Sequence, residues 1–376
     1  MKYRDFHGKK ISQLGFGAMR LPVLDGQASN IDMKQTEEMI MYAYENGVNY
    51  YDSAYVYHNG YSEVAIGEIF KKNGIRDKIN IATKFPTRGS FANEGFEATL
   101  DEQLKRLQTD HIDFYLIHGL DLKKWKGLKD DGILDFLDSL KTSSKTTHLG
   151  FSFHDSYDSF VEILNDFDWN FAQIQLNFMD IEFQAGIKGL EYADSKGIPL
   201  VIMEPLRGGR VLTVQDPHVI ELKEKNGIKN ESLAKTCLSF LFDRPEILTV
   251  LSGMQRLSDV KENVDTASET GIGELTQNQQ GFLDELKTYL ESKETVACTG
   301  CRYCVPECPQ NIDIPQALSA YNDVVIYNSK SFNATQVKRR NPNIANCIEC
   351  NNCTNICPQE LEIPELLKKT RSFLEI

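Results

Sequence analysis

Between Leu14 and Ser252 the chain alternates eight times between a short apolar run and a stretch whose apolar residues fall at helical spacing. The runs are LGFGAM, VNYYD, INIATK, IDFYLIH, HLGFS, FAQIQL, PLVIME and LTVLS, and the first three are followed by MKQTEEMIMYAYENG, YSEVAIGEIFKKN and FEATLDEQLKRLQ. Runs of this length, rich in β-branched and aromatic residues, read as buried strands. Parallel strands cannot be joined by a tight turn, so a helix has to carry the chain back each time. Eight such units in succession predict an α/β fold, a (β/α)8 TIM barrel. The competing doubly wound sheet carries a G-x-G-x-x-G turn after its first strand, and no such turn follows LGFGAM. Ahead of the first run, KYRDFHGKKISQ reads as a hairpin that closes the bottom of the barrel.

The end of the chain follows a different rule. Eight of the nine cysteines lie between Cys298 and Cys357, as Cys298, Cys301, Cys304 and Cys308-Pro309, then Cys347, Cys350, Cys353 and Cys357-Pro358. Both sets have the form C-x2-C-x2-C-x3-C-P. A disulfide framework or zinc sites would also use paired thiols. Zinc sites, however, draw on two separated C-x2-C knuckles, whereas three thiolates at every third residue wrap one corner of an iron–sulfur cube. The spacing resembles that of bacterial two-cluster ferredoxins, in which the fourth cysteine of each motif serves the other cluster. The resemblance implies two [4Fe-4S] clusters, one held by Cys298, Cys301, Cys304 and Cys357, the other by Cys347, Cys350, Cys353 and Cys308. The 38 residues from Pro309 to Asn346 depart from small ferredoxins, and IPQALSAYNDVVIYN within them has helical spacing. A small, mostly helical version is therefore expected. Residues 1–272 are assigned to the barrel, 273–292 to a connecting helix, and 293–376 to the ferredoxin-like iron–sulfur domain.

A net charge of −13 argues against nucleic acid as a partner, since a phosphate backbone is held by a concentrated Lys/Arg surface. No apolar run reaches the ~20 residues needed to cross a bilayer, and Met1 to Lys10 lacks a signal-peptide core. An acidic cytoplasmic enzyme with no membrane partner is the expectation.

In a barrel of this type the chemistry sits where strands end. The second run leads into YYDSAYVYHNGYSE, the third ends in IATK and the fourth in FYLIH, which supplies Asp52, Tyr57, Lys84 and His118. Here the sequence resembles the aldo-keto reductase family. Its D-x-A-x-x-Y segment is Asp52-Ser53-Ala54-Tyr55-Val56-Tyr57, followed by Ser62-Glu63 and Gly67, and LKRLQTDHIDFYLIH resembles the family's fourth-strand signature. The resemblance covers roughly residues 3 to 270. It implies reduction of a small aldehyde or ketone, or oxidation of the matching alcohol, with hydride from NAD(H) or NADP(H). Hydride addition creates an alkoxide that needs a proton as its charge appears. Tyr57 is the candidate acid, Lys84 the cation that favours its phenolate, Asp52 the group that holds Lys84, and His118 the donor that orients the carbonyl oxygen. Tyr55 is a competing phenol, and the family spacing selects Tyr57.

The resemblance also implies where a dinucleotide lies. Family members hold nicotinamide through Ser-Asn after the fifth strand, a Gln on the sixth and an aromatic ring from the seventh; the matching positions here are Ser152-Phe153, Gln173 and Met203. A methionine still offers a polarizable face to a ring, and His154 stands beside the altered pair. After the seventh strand, EPLRGGR offers the backbone amides of Leu206, Gly208 and Gly209, beside Arg207, to a phosphate. After the eighth, SGMQRLSDVKENV contributes Ser252, Gly253 and Met254, and its Glu262-Asn263 matches the family's adenosine contact. The basic residues that usually grip the 2′-phosphate of NADPH fall on Gly253 and Asp259, with Arg256 nearby, so a weakened NADPH preference is expected. Arg20 points toward the mouth, to meet an anionic substrate or to form a salt bridge. Tyr55, His58, Phe85, Phe153 and Phe178 are candidates for an aromatic pocket, and Cys237 reads as a buried helix residue.

Nicotinamide gives its electrons as a pair, whereas each cluster takes one at a time. A flavin normally splits the pair, and the loops after strands seven and eight are where barrels hold flavin phosphate. Three arrangements stay open: a reductase whose clusters exchange electrons with a ferredoxin, a reductase whose clusters brace the fold, and an electron carrier, flavin-bearing or not, whose barrel is a binding scaffold.

Overall fold

The computed structural model describes residues 1–87, 95–214, 216–293, 296–298, 300, 302–327, 330–357 and 359–376. The chain opens with β1 (Tyr3–Phe6) and β2 (Lys9–Ser12), an antiparallel pair. His7 and Gly8 between them have φ of 47° and 80°, the two positive angles that a two-residue type I′ hairpin turn needs. Eight strands follow: β3 (Leu14–Gly17), β4 (Tyr50–Asp52), β5 (Asn80–Phe85), β6 (Ile112–Leu120), β7 (Thr146–Phe153), β8 (Phe171–Gln175), β9 (Leu200–Met203) and β10 (Ile247–Ser252). They run parallel in chain order, and β10 pairs with β3 to close the ring. All eight apolar runs of the sequence are these strands.

The strands β5, β8 and β10 are buried at every position, as parallel strands covered on both faces must be. Tyr50, Phe114, Phe171, Val201 and Leu248 fill the interior, and Phe6 and Ile11 of the hairpin join the same cluster. The Phe6 ring lies 5.3 Å from Phe114 and 4.7 Å from His148, so the hairpin plugs the barrel as its sequence suggested. Burial pushes the His148 imidazole down to about 4, helped by the charges of Lys9 and His7.

The helices begin where short polar side chains can accept a free N–H of the first turn. Asp32 caps Met33–Glu45, Asp121 caps Leu122–Asp130, Ser156 caps Tyr157–Asp166 and Ser232 caps Leu233–Phe242. Among the described residues no helix is long and apolar enough to cross a membrane.

The chain divides into two compact units, Met1–Gly208 with Glu231–Gln277, and Gly209–Asn230 with Asn278–Ile376. The first holds the barrel strands. In the second, Asp216 accepts from Tyr289 Oη at 2.7 Å and pairs with Lys293, while Arg210 pairs with Asp323. These contacts hold Asp216 down at about 2, Lys293 first and Tyr289 next. The helices Ile314–Tyr327 and Ile363–Leu374 bury Ile314, Leu318, Val324, Ile363 and Leu367 in a core that also receives Cys304 and Cys353. The first of these helices is the one anticipated in IPQALSAYNDVVIYN.

Candidate active site

Asp52 ends β4, Lys84 lies near the end of β5 and His118 near the end of β6, on three adjacent strands. Lys84 is completely buried. Its Nζ donates to both Asp52 carboxylate oxygens, at 2.6 and 2.7 Å, and to the Ser53 carbonyl at 2.7 Å. The same nitrogen is 4.9 Å from the centre of the Tyr57 ring, and that ring meets His118 edge-on at 5.8 Å. Burial works against the Lys84 ammonium, but Asp52 and then Tyr57 more than offset it and hold its pKa above the ordinary value. The lysine therefore stays charged. The Tyr57 phenol is also held above its ordinary value, by burial first, with Lys84 pulling the other way. It is protonated at neutral pH, as an acid must be before it acts.

Tyr57 opens a short turn, Tyr57–Gly60, in which His58, Asn59 and Gly60 have φ of 51°, 56° and 93°. The His58 ring ties this turn to the loop after β3: its Nε2 accepts from the Leu21 N–H at 3.1 Å, and its Nδ1 is 2.8 Å from the Ala28 carbonyl. An acceptor at Nε2 leaves the proton on Nδ1. His58 is thus part of the scaffold under Tyr57. Tyr55 is 3% exposed, and its ring lies 3.9 Å from the Arg106 guanidinium, so the two phenols have different surroundings. Phe85 packs on Phe96, and Phe153 on Phe160, both in the layer between sheet and helices; Phe178 is likewise buried.

A buried polar network behind Lys84 is more than the sequence reading foresaw. Glu63 accepts from Thr83 Oγ1 at 2.5 Å and from Gln103 Nε2 at 2.7 Å, and it faces Arg106 at 3.4 Å. Gln103 also donates to the Lys84 carbonyl at 3.1 Å and accepts from Tyr115 Oη at 2.9 Å. The signal for it lies in helix Phe96–Leu107, where Gln103 shares the buried face with Thr99, Leu100, Leu104 and Leu107. A glutamine at such a position needs partners.

Of the residues assigned to the dinucleotide, Ser152, Gln173, Met203 and Ser252 sit on the neighbouring strands β7 to β10. Ser152 of β7 accepts from the Gly119 N–H at 2.7 Å. Gln173 of β8 is 1% exposed and directs Nε2 at the Met203 sulfur, 3.5 Å away on β9. Its Oε1 is buried with no hydrogen-bond partner among the described residues, which leaves an acceptor ready for an amide N–H. Leu206 and Met254 are buried, and Gly209 opens the second unit. Asn263 is buried and donates to Ser252 Oγ at 2.8 Å, while Glu262 beside it is exposed. Arg256 is engaged by Asp259, at 2.9 Å from NH2 and 3.2 Å from Nε. His154 is exposed. Cys237 is 1% exposed, and burial pushes its thiol up to about 12, which makes it unreactive.

In the second unit the described cluster cysteines line two separate recesses. One is walled by Cys298, Cys304 and Cys357 with Ile314, Leu318 and Leu361. The other is walled by Cys308, Cys347, Cys350 and Cys353 with Ile312 and Leu367. Cys301 lies outside the described residues, as does Pro358. Among the described residues, Cys357 thus lies with Cys298 and Cys304, and Cys308 with Cys347, Cys350 and Cys353. Burial, with the neighbouring Cys347 and Cys308, raises the Cys353 thiol. A thiol set of this kind in an apolar wall suits an iron–sulfur group, whose charge would hold the thiols as thiolates.

The aldo/keto reductase family model matches residues 13–285, and the 4Fe-4S dicluster domain model matches residues 297–362. The chain is 28% identical over 302 residues to L-galactose dehydrogenase of Arabidopsis thaliana, covering 76% of this chain and 92% of the relative. Two solved structures share the fold. An aldo-keto reductase from Bacillus halodurans in its holo form has a TM-score of 0.60 at 24% identity, covering 75% of this chain and 96% of its own. An aldo-keto reductase from Klebsiella pneumoniae in complex with NADPH has a TM-score of 0.60 at 18% identity, covering 76% and 95%.

Proposed function

The chain belongs to the aldo/keto reductase family and carries a 4Fe-4S dicluster domain, and from that premise we propose that its barrel interconverts a small carbonyl compound and its alcohol with a nicotinamide dinucleotide. The observation that carries the reading is the buried Lys84–Asp52 pair beside the Tyr57 phenol and the His118 ring. A bound nicotinamide supplies or accepts the hydride. Tyr57 gives its proton to the carbonyl oxygen, and Lys84 compensates the phenolate left behind. Asp52 keeps Lys84 charged and in place, and His118 orients the oxygen. The orphan Oε1 of Gln173 suits the N–H of a carboxamide, and the NADPH in the Klebsiella pneumoniae relative is consistent with such a ligand.

In the second unit, Cys298, Cys301, Cys304 and Cys357 would hold one cluster and Cys347, Cys350, Cys353 and Cys308 the other. The two recesses support this crossed assignment. The clusters supply one-electron storage, and an external one-electron carrier such as a ferredoxin is the partner that suits them. Direct exchange between the nicotinamide and a cluster needs a two-to-one electron converter such as a flavin.

The test is a steady-state assay of Tyr57→Phe and Tyr55→Phe against a panel of aldehydes and ketones. Tyr57→Phe should lose ~10²–10⁴-fold in kcat, the range for a removed general acid, with dinucleotide affinity retained. Tyr55→Phe should keep most of its rate. Near-normal turnover by Tyr57→Phe would overturn the reading.

A further inference from the structure

We propose that Arg20, reaching from the loop after β3 across the loops after β9 and β10, is the residue that grips the diphosphate of the dinucleotide; this rests on the nicotinamide reading above. Arg20 ends the short turn Ala18–Arg20 and is partly buried. A Cβ placed on Gly253 would meet the Arg20 side chain at 3.1 Å from Cδ, 3.4 Å from Cγ and 3.6 Å from Cβ. Gly253 does not have the left-handed backbone that favours glycine, so what glycine provides there is room. The space that a side chain at position 253 would enter is taken by the stem of Arg20.

The charged end lies elsewhere. A Cβ on Gly208 would meet Arg20 NH2 at 3.0 Å, so the guanidinium stands over the start of the loop after β9. Arg207 and Gly208 have φ of 52° and 67°. The chain turns sharply at these two residues, and backbone N–H groups in a turn can face an anion. A guanidinium beside such a backbone is a paired device for phosphate oxygens.

Position 253 is where the resemblance puts a contact to the 2′-phosphate, and the backbone amides near Gly208 are those that EPLRGGR offers to a phosphate. The head of Arg20 is at Gly208. It therefore serves the diphosphate, which NADH and NADPH share, and strengthens both without choosing between them.

Dissociation constants of the intact protein for NADH, NADPH, ADP-ribose and adenosine, by calorimetry at fixed salt, test this. Arg20→Met should weaken the three diphosphate ligands by roughly tenfold to a hundredfold, the range for a charge-assisted contact, leave their ratios unchanged and leave adenosine unaffected. Gly208→Ala, which crowds the guanidinium, should weaken the same three ligands by a smaller factor and guards against misfolding of the first variant. Unchanged binding by folded Arg20→Met, or a loss confined to NADPH, would overturn the role of Arg20 while the nicotinamide reading stands. If the wild-type protein bound none of the three, both would fall.

Discussion

Lys84 holds a charge where no solvent reaches it, so removing either partner leaves the other exposed to the full cost of burial. Lys84→Met should destabilise the fold by about 3–5 kcal/mol, the range for breaking a buried pair, as well as abolish turnover. Lys84→Met with Asp52→Asn should regain much of that stability and none of the rate; denaturant melts and kcat measured on the same samples separate the two effects. At this scale the residue types were legible because chemistry in a barrel concentrates at strand ends, and three adjacent ends delivered complementary groups. What was not legible is which neighbours each side chain would choose. The imidazole of His58 spans two backbone groups some thirty residues away, and Arg20 runs over two glycines of distant loops. Contacts of that kind follow from closure of the ring, and no local pattern announces them.

Secondary-structure elements were easier to read, since period and length distinguish a buried strand from an amphipathic helix over a window of residues. Helix Leu122–Asp130 gives a weak periodic signal, because LKKWKGLKD has one buried anchor, Trp125, among lysines. The bottom hairpin gives a pH prediction. The folded His148 titrates at about 4 and an ordinary histidine at 6.5, so between these values the unfolded chain binds a proton that the folded chain does not. Stability should therefore fall as pH drops from about 6.5 toward 4, by at most about 3 kcal/mol from this group. His148→Phe should flatten that part of the profile of melting temperature against pH. Close helix packing gives a second prediction. A Cβ on Gly67 would lie 2.6 Å from the backbone of Arg106 and Leu107, so Gly67→Ala should cost about 1–3 kcal/mol, as overpacking does, read from urea midpoints.

On the scale of the whole molecule, the segment 209–230 lies between β9 and β10 in the chain yet packs within the second unit. Boundaries drawn along a sequence cannot express such an exchange, whereas the doubled C-x2-C-x2-C-x3-C-P spacing is local and can be read directly. Protein prepared without oxygen should contain about eight irons and eight sulfides, and Cys308→Ala should lose the cluster of the second motif while sparing that of the first. The central claim is that hydride passes directly between nicotinamide and carbonyl carbon at the barrel mouth, independently of the clusters. The most direct measurement is anaerobic reduction of an accepted aldehyde or ketone with dinucleotide deuterated at the transferring position, followed by mass spectrometry of the alcohol. Direct transfer places one deuterium on the carbinol carbon of every product molecule. An alcohol formed at the same rate without deuterium would mean that electrons reach the carbonyl through the clusters with protons from water, and would contradict the account.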